Sequence, residues 1–282
     1  MAKIWGVNFF GHDASICVVD CDKIIFHKLS GEDFLTEKLV NEVLKFGTPE
    51  LICYYEKPFL KRLRHLYSGE WNKAFNLLNP KFHMMEFQIY APIKYYSHHH
   101  SHAAASYFLS DYDDATILVA DAVGEWETVT VWKAKNNSLT KLKSLKYPFS
   151  LGLFYTSFSK LYGVSEKTLM NLSLQGEPVH YRKVKEYMNK NLHKGIKNWE
   201  IIDDNIPCSV QKVFVDTLKD IIKPFEKLSK NLLITGGCAF NTLAVQELGA
   251  EVTISPGDSS SSIGSVAAHL NKKLSFMIDD NN

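Results

Sequence analysis

Apolar and polar positions alternate from the start of the chain. Residues 3–10 (KIWGVNFF) are rich in β-branched and aromatic side chains and read as a strand. GHDAS (11–15) makes a turn, ICVVD (16–20) a second strand, Cys21 and Asp22 another turn, and KIIFHKL (23–29) a third strand. The spacing then changes: Leu35, Leu39, Val43 and Phe46 fall on one helix face. The same order returns later. ATILVAD (115–121), the turn AVGEW, ETVTVWK (127–133) and LTKLKSLKY (139–147) precede a helix, SLGLFYTSFSKLYG, ended by Gly163. Further on come the strand NLLIT, the turn GGCAFN (236–241), the helix TLAVQELG, the strand EVTISP, and GDSSSSIGSVAAHL, a loop entering a helix.

Strand–turn–strand–strand–helix thus occurs twice, with Gly and Asp near the end of each first strand. This duplication resembles the actin–hexokinase–chaperone ATPase superfamily. The resemblance implies an α/β, two-lobed fold with a central nucleotide and metal cleft. The expected lobes are residues 1–110 and 111–282. A mixed sheet of another topology is the plain alternative. Backbone N–H groups of the glycine-rich turns at Gly11, Gly236, Gly237 and Gly257 suit phosphates.

Composition narrows the function classes. The chain has 282 residues, 45% hydrophobic and 22% charged, enough for a sizeable core. Its net charge of +1 gives no global field toward nucleic acid or membrane. No apolar run reaches the length of a membrane span, and the N-terminus does not read as a secretory signal. The five cysteines (17, 21, 53, 208 and 238) have no CxxC spacing, so neither a disulfide framework nor a zinc ribbon is expected. A cytoplasmic location is the default expectation.

The most concentrated chemistry is HHHSHAAASYF, starting at His98. Ser97 can cap it and three alanines favour a helix. His98 and His102 then stand at i and i+4, the spacing that lets two imidazoles reach one metal ion. His99 points elsewhere, toward a substrate or the metal's surroundings; His100 has no evident role. An isolated HxxxH is more often a solvated or partly buried helix start. With added carboxylates, two histidines suit Fe(II), Mn(II) or Zn(II) rather than a thiolate-loving ion.

GHDAS, HHHSHAAAS, VADAVGEW, SLGLFYTSFSKLYG, LMNLSLQGEP, ITGGCAFN and SPGDSSSSIG occur in that order. Together they resemble the N-terminal catalytic domain of the O-carbamoyltransferases that decorate antibiotics and nodulation factors. That domain is related to the enzyme that puts threonylcarbamoyl on tRNA adenosine. The resemblance implies that His98, His102, Asp121 and Asp258 hold a divalent metal, iron by preference; ligand chemistry alone leaves manganese and zinc open, and magnesium is left open as a further ion. It implies that His12 and Asp13 stand beside the carbamoyl group, Glu125 on the wall of that site, and Asn241 at an adenosine pocket next to Gly236 and Gly237. Carbamoyl phosphate, through ATP and carbamoyl-adenylate, is the implied donor.

Several positions depart from the family pattern: Asp33 replaces an arginine, Thr168 a lysine, Asn171 a glycine, and Leu174-Gln175 a Pro-Tyr pair. A second, adenylate-forming domain would follow near residue 270, so a separate protein is one expected donor source. The expected acceptor is a small hydroxylated metabolite, with a hydroxymethylated pyrimidine in DNA as the rival. KRLRHLYSGEWNKAF (61–75) interleaves Lys61, Arg62, Arg64 and Lys73 with Tyr67, Trp71 and Phe75, which fits either a solvated basic helix or a phosphate- and base-binding face. Homo-oligomerisation is left open. Rival classes are a two-histidine-one-carboxylate oxygenase, a kinase or ATPase of the superfamily, and a non-catalytic subunit.

Overall fold

Period-two burial explains the layering. In the computed structural model, which describes residues 3–11, 13–76, 79–197 and 199–277, β1 (Ile4–Asn8) and β2 (Ser15–Asp20) pair antiparallel, and β2 pairs with β3 (Lys23–Leu29). Trp5, Val7, Ile16 and Val18 face one side, where they meet Leu35, Leu39 and Val43 around α1 (Glu37–Val43). Cys17 and Val19 face the other side. A parallel strand, β4 (Leu51–Tyr54), joins β1. The helices α2 (Pro58–Tyr67), α3 (Trp71–Asn76) and α4 (Pro80–Glu86) lead to the edge strand β5 (Ile93–Tyr95). After α5 (His98–Phe108) the plan repeats. The strands β6 (Asp114–Gly124), β7 (Glu127–Lys135) and β8 (Ser138–Lys146) form an antiparallel meander, followed by α6 (Leu151–Tyr162).

The shorter helices α7 (Glu166–Leu172) and α8 (Tyr181–Lys185) precede the long α9 (Asn205–Ile222). Next, β9 (Leu232–Thr235) adds in parallel to β6, so each sheet is a three-stranded meander with a parallel strand on its first member. The chain closes with α10 (Thr242–Leu248), α11 (Ser261–Leu270) and β10 (Ser275–Phe276).

Between the two sheets lie α5 and α11. Ile117 and Val119 of β6 point inward to them, with Ala103, Ala104, Tyr107, Ile263 and Val266, while Leu118 and Ala120 point outward to α6 and α9.

Three expectations change. The first strand stops at Asn8, because Phe10 takes a left-handed φ of 64°. Residues 251–256, β-branched and strand-like, make only one bridge, Leu233 with Glu251, since no second partner strand lies beyond β9. β10 pairs with β3, so the end of the chain adds to the first sheet and not to the lobe expected for 111–282.

A candidate metal centre between two pockets

Ser97 occupies the N-cap of α5, but its side chain makes no capping bond; its carbonyl accepts from the Ser101 amide (3.0 Å). One turn of helix then brings the His98 and His102 rings to 4.8 Å between centroids. Asp121 reaches them because β6 shifts register between Ala120 and Gly124, a bulge that re-aims the side chain. Asp258 starts the turn that precedes α11. His98 Nε2 lies 3.1 Å from Asp121 Oδ2 and 3.6 Å from Asp258 Oδ1. His102 Nε2 lies 3.5 and 3.2 Å from the same oxygens. The four ligand atoms all fall within 4.8 Å of one another.

The electrostatics are those of a site that exchanges protons for a cation. Burial pulls the His98 pKa down, but Asp258 and Asp121 outweigh it and raise the value to about 9. His102 is raised by the same carboxylates against its burial. Burial raises Asp121 and Asp258, yet the histidines hold both below the ordinary carboxylate value. A divalent ion replacing two imidazolium protons leaves the cluster neutral. Two imidazole nitrogens and two carboxylate oxygens also form a donor set for Fe(II), Mn(II) or Zn(II). The residues present therefore fit the expected metal.

The surroundings support the cluster from behind. His99 is fully buried, its Nδ1 on Thr130 Oγ1 at 2.9 Å. Burial first, then His98, holds it well below the usual imidazole value. It packs beside His98, with ring centroids 5.8 Å apart. His100 stacks on Trp132 at 5.3 Å. Asn8, 1% exposed, was not singled out in the sequence. Its amide donates to the Asp258 carbonyl and its oxygen accepts from Ser15 N–H (2.7 Å), which ties Asp258 to the first sheet.

A cavity of about 600 Å³ borders Asp121, lined by Tyr155, Glu166, Met170, Phe240 and Asn241 among others. Gly236 and Gly237 turn the chain at this cavity. A Cβ on Gly236, at φ +87°, would sit 2.4 Å from the Ala120 carbonyl oxygen. The Gly236 N–H is committed to Pro256 O (3.0 Å), so this amide does not face a phosphate. The Asn241 amide pairs with Gln211 in both directions and caps α10 through Ala244 N–H (3.0 Å), so it shapes the cavity wall.

A second cavity, about 440 Å³, borders His98 and Asp258 and holds Gly11, Glu56, Lys61, Arg64 and His193. Glu56, Arg64 and His193 gave no separate sequence signal as site residues. Glu56 is 2% exposed and pairs with Lys61 (2.7 Å). Gly257 packs against the Phe240 ring. Asp13 is exposed in the β1–β2 turn at φ 53°, outside the cluster, and His12 lies outside the described residues.

Glu125 sits in the β6–β7 turn at φ 52°, 5% exposed, and its Oε1 accepts the Lys57 N–H (2.6 Å) at the start of α2. It joins the two halves of the molecule. Burial pushes its pKa up to about 7 from 4.5, against the pull of that N–H and His98. The folded protein therefore holds this proton more tightly than the unfolded chain. The associated stability is complete below pH 4.5 and is lost as pH rises through about 7. Glu125→Gln keeps the acceptor oxygen and removes the titration. At pH 8 it is expected to raise unfolding stability by roughly 3 kcal/mol. Urea unfolding at pH 4.5 and 8 checks this; equal effects at both values would contradict it.

Residues 55–197, half of the chain, match the family described as Carbamoyltransferase N-terminus. A protein of Synechocystis sp., named Uncharacterized protein sll1178, is 30% identical over 185 residues, 61% of this chain; the match covers only 28% of that relative's length. Among solved structures, component A of the (R)-2-hydroxyglutaryl-CoA dehydratase of Acidaminococcus fermentans aligns with TM-score 0.55 at 15% identity, over 97% of this chain and 98% of that one. The activator of 2-hydroxyisocaproyl-CoA dehydratase from Clostridium difficile, with bound ADPNP, gives 0.52 at 12% identity, over 95% of each. HypF of T. kodakarensis gives 0.51 at 13% identity, over 97% of this chain and 48% of that one. The fold is that of the actin–hexokinase–chaperone ATPase superfamily, and the chain belongs to the carbamoyltransferase N-terminal-domain family.

Proposed function

We propose that this protein transfers a carbamoyl group from an activated donor to an acceptor hydroxyl at the His98, His102, Asp121 and Asp258 cluster. The observation that carries the reading is the position of that cluster. It stands between two cavities, one touching Asp121 and the other touching His98 and Asp258. The first is walled by Phe240, Met170 and Tyr155, with Glu166 at its rim, and suits the base and ribose of an adenylate. The second is polar and suits an acceptor.

The acceptor oxygen attacks the carbamoyl carbon, a new C–O bond forms, and the bond to the phosphate oxygen breaks. The phosphate leaves toward the first cavity. The hydroxyl proton passes to a group of the acceptor cavity, where the Glu56 carboxylate and the His193 imidazole stand. Asp121 and Asp258 set the charge of the site, and His98 and His102 hold their positions from α5. A divalent ion bound there, iron first, supplies Lewis-acid polarisation of a carbonyl or phosphate oxygen. Carbamoyl phosphate with ATP, or carbamoyl-adenylate made by a separate protein, serves as donor.

The test is incubation of metal-loaded protein with carbamoyl phosphate and ATP, or with carbamoyl-adenylate, against hydroxylated metabolites and hydroxymethylpyrimidine DNA. Mass spectrometry should show addition of one carbamoyl group, lost in His102→Ala. Phosphate transfer from ATP that survives His98→Ala, with no carbamoyl product, would replace this reading with a kinase.

A further inference from the structure

Beyond the acceptor cavity lies a third hollow of about 450 Å³, lined by rings of Tyr67, Tyr147 and Tyr187 and by Lys190, Lys194 and Lys197. No carboxylate lines it, in a chain with 32 basic and 31 acidic residues. Lys194 and Lys197 are exposed and have no ion-pair partner among the described residues. Lys190 rests its ammonium 3.7 Å from the Tyr187 ring centroid. Tyr67, 69% exposed, leans on Trp126 of the β6–β7 turn and on Tyr147, so the hollow spans both halves of the molecule.

His193 lines this hollow and also the acceptor cavity beside His98 and Asp258. Its Nε2 meets Glu70 Oε2 at 3.1 Å, which anchors the Lys-rich loop to the corner between α2 and α3. The same Glu70 binds His65 (2.7 Å) and Arg64 (3.2 Å). The wall shared by the two cavities is therefore built by paired groups, Arg64 and His65 buried and His193 and Glu70 half-buried. Beyond it, Lys194 and Lys197 are exposed and have no ion pair among the described residues.

We propose that this hollow is an acceptor subsite for a phosphate-bearing, ring-containing ligand of the nucleotide class. Clustered ammonium groups without competing carboxylates attract phosphate, and the exposed Tyr67 ring offers a flat face to a base, with the buried Tyr147 ring behind it. A volume of about 450 Å³ lies within the usual range for small-ligand sites. The term acceptor rests on the carbamoyl-transfer reading; binding of the ligand does not. A free nucleotide and a nucleotide within a strand present the same chemistry.

Calorimetry of the wild-type protein against variants of the hollow isolates it, since a signal lost in those variants reports this site and not the cavity at Asp121. The probes are dCMP, an oligodeoxycytidine strand, deoxycytidine and ribose 5-phosphate. We expect dCMP and the strand to bind, and deoxycytidine and ribose 5-phosphate to bind about tenfold or more weakly. A strand that binds more tightly than dCMP assigns the polymer; equal affinity assigns the free nucleotide. The double variant Lys194→Glu/Lys197→Glu should weaken the phosphate ligands about tenfold or more and leave thermal stability unchanged. Tyr67→Ala should weaken dCMP but not ribose 5-phosphate. Unchanged binding in the lysine variant, ribose 5-phosphate binding as well as dCMP, or no binding of either phosphate ligand overturns the proposal. Carbamoylation of neutral sugars with no nucleotide binding would overturn it and leave the transferase reading standing. Nucleotide binding without transfer would do the reverse.

Discussion

Asp258→Asn is expected to lower metal content below a tenth of the wild-type value and to reduce carbamoyl transfer about 10²–10³-fold or more. The amide preserves the volume and a contact with His102, but it removes one of the two charges that balance a divalent ion. The site then carries an uncompensated positive charge beside the buried His98 and His102 rings. In the metal-free protein the same change leaves His98 and His102 sharing a single carboxylate. A broken buried pair costs about 3–5 kcal/mol. Elemental analysis, turnover and thermal unfolding of one preparation report all three effects. Retained metal and activity would exclude Asp258 from the site.

Gly264→Ala is the second large effect, and it acts through the backbone beside His102. A Cβ on Gly264 would sit 1.9 Å from the Ser101 carbonyl oxygen of α5. On the opposite side of α11, a Cβ on Gly6 of β1 would sit 1.9 Å from the Ser262 carbonyl oxygen. The helix is thus held backbone to backbone between the first sheet and α5, with no flexible side chain to yield. Overpacking costs about 1–3 kcal/mol and more where backbone must move. We expect about 3 kcal/mol or more, a fall in Tm of roughly 6–12 °C by the usual size scaling. Because Asp258 precedes this helix and His98 and His102 project from α5, metal content should fall as well. A Tm shift under about 2 °C would contradict this account of the seam.

The repeated meanders were readable because β1, β2, β6 and β7 are buried on both faces and carry nearly continuous apolar runs, while β3 and β8, mostly half-buried or exposed, follow them across short turns. The His98 and His102 pair was readable because a helix places i and i+4 together. Asp258 was not readable from spacing at all: it meets His102 across 156 positions, and only motif order pointed to it. The glycine at 264 reads as a weak helix position, and its function as a point of close approach exists only once α5 lies against α11. The basic stretch at 61–75 was half legible. Trp71 and Phe75 are exposed, as a binding face requires, but Arg64 is 6% exposed and satisfies Glu70. His193 joins that group from a loop more than a hundred residues away, where no local pattern marks it.

The central claim is that four residues from α5, β6 and the turn before α11 form one divalent-metal site. The direct measurement is an anaerobic titration of chelator-stripped protein with Fe(II), following bound metal and released protons together. The account predicts saturation at about one ion per chain, with proton release at pH 7 as the raised imidazoles of His98 and His102 give up their protons. It predicts loss of both signals in His98→Ala and in His102→Ala. No saturable uptake by the wild-type protein, or uptake unchanged in both variants, would contradict it.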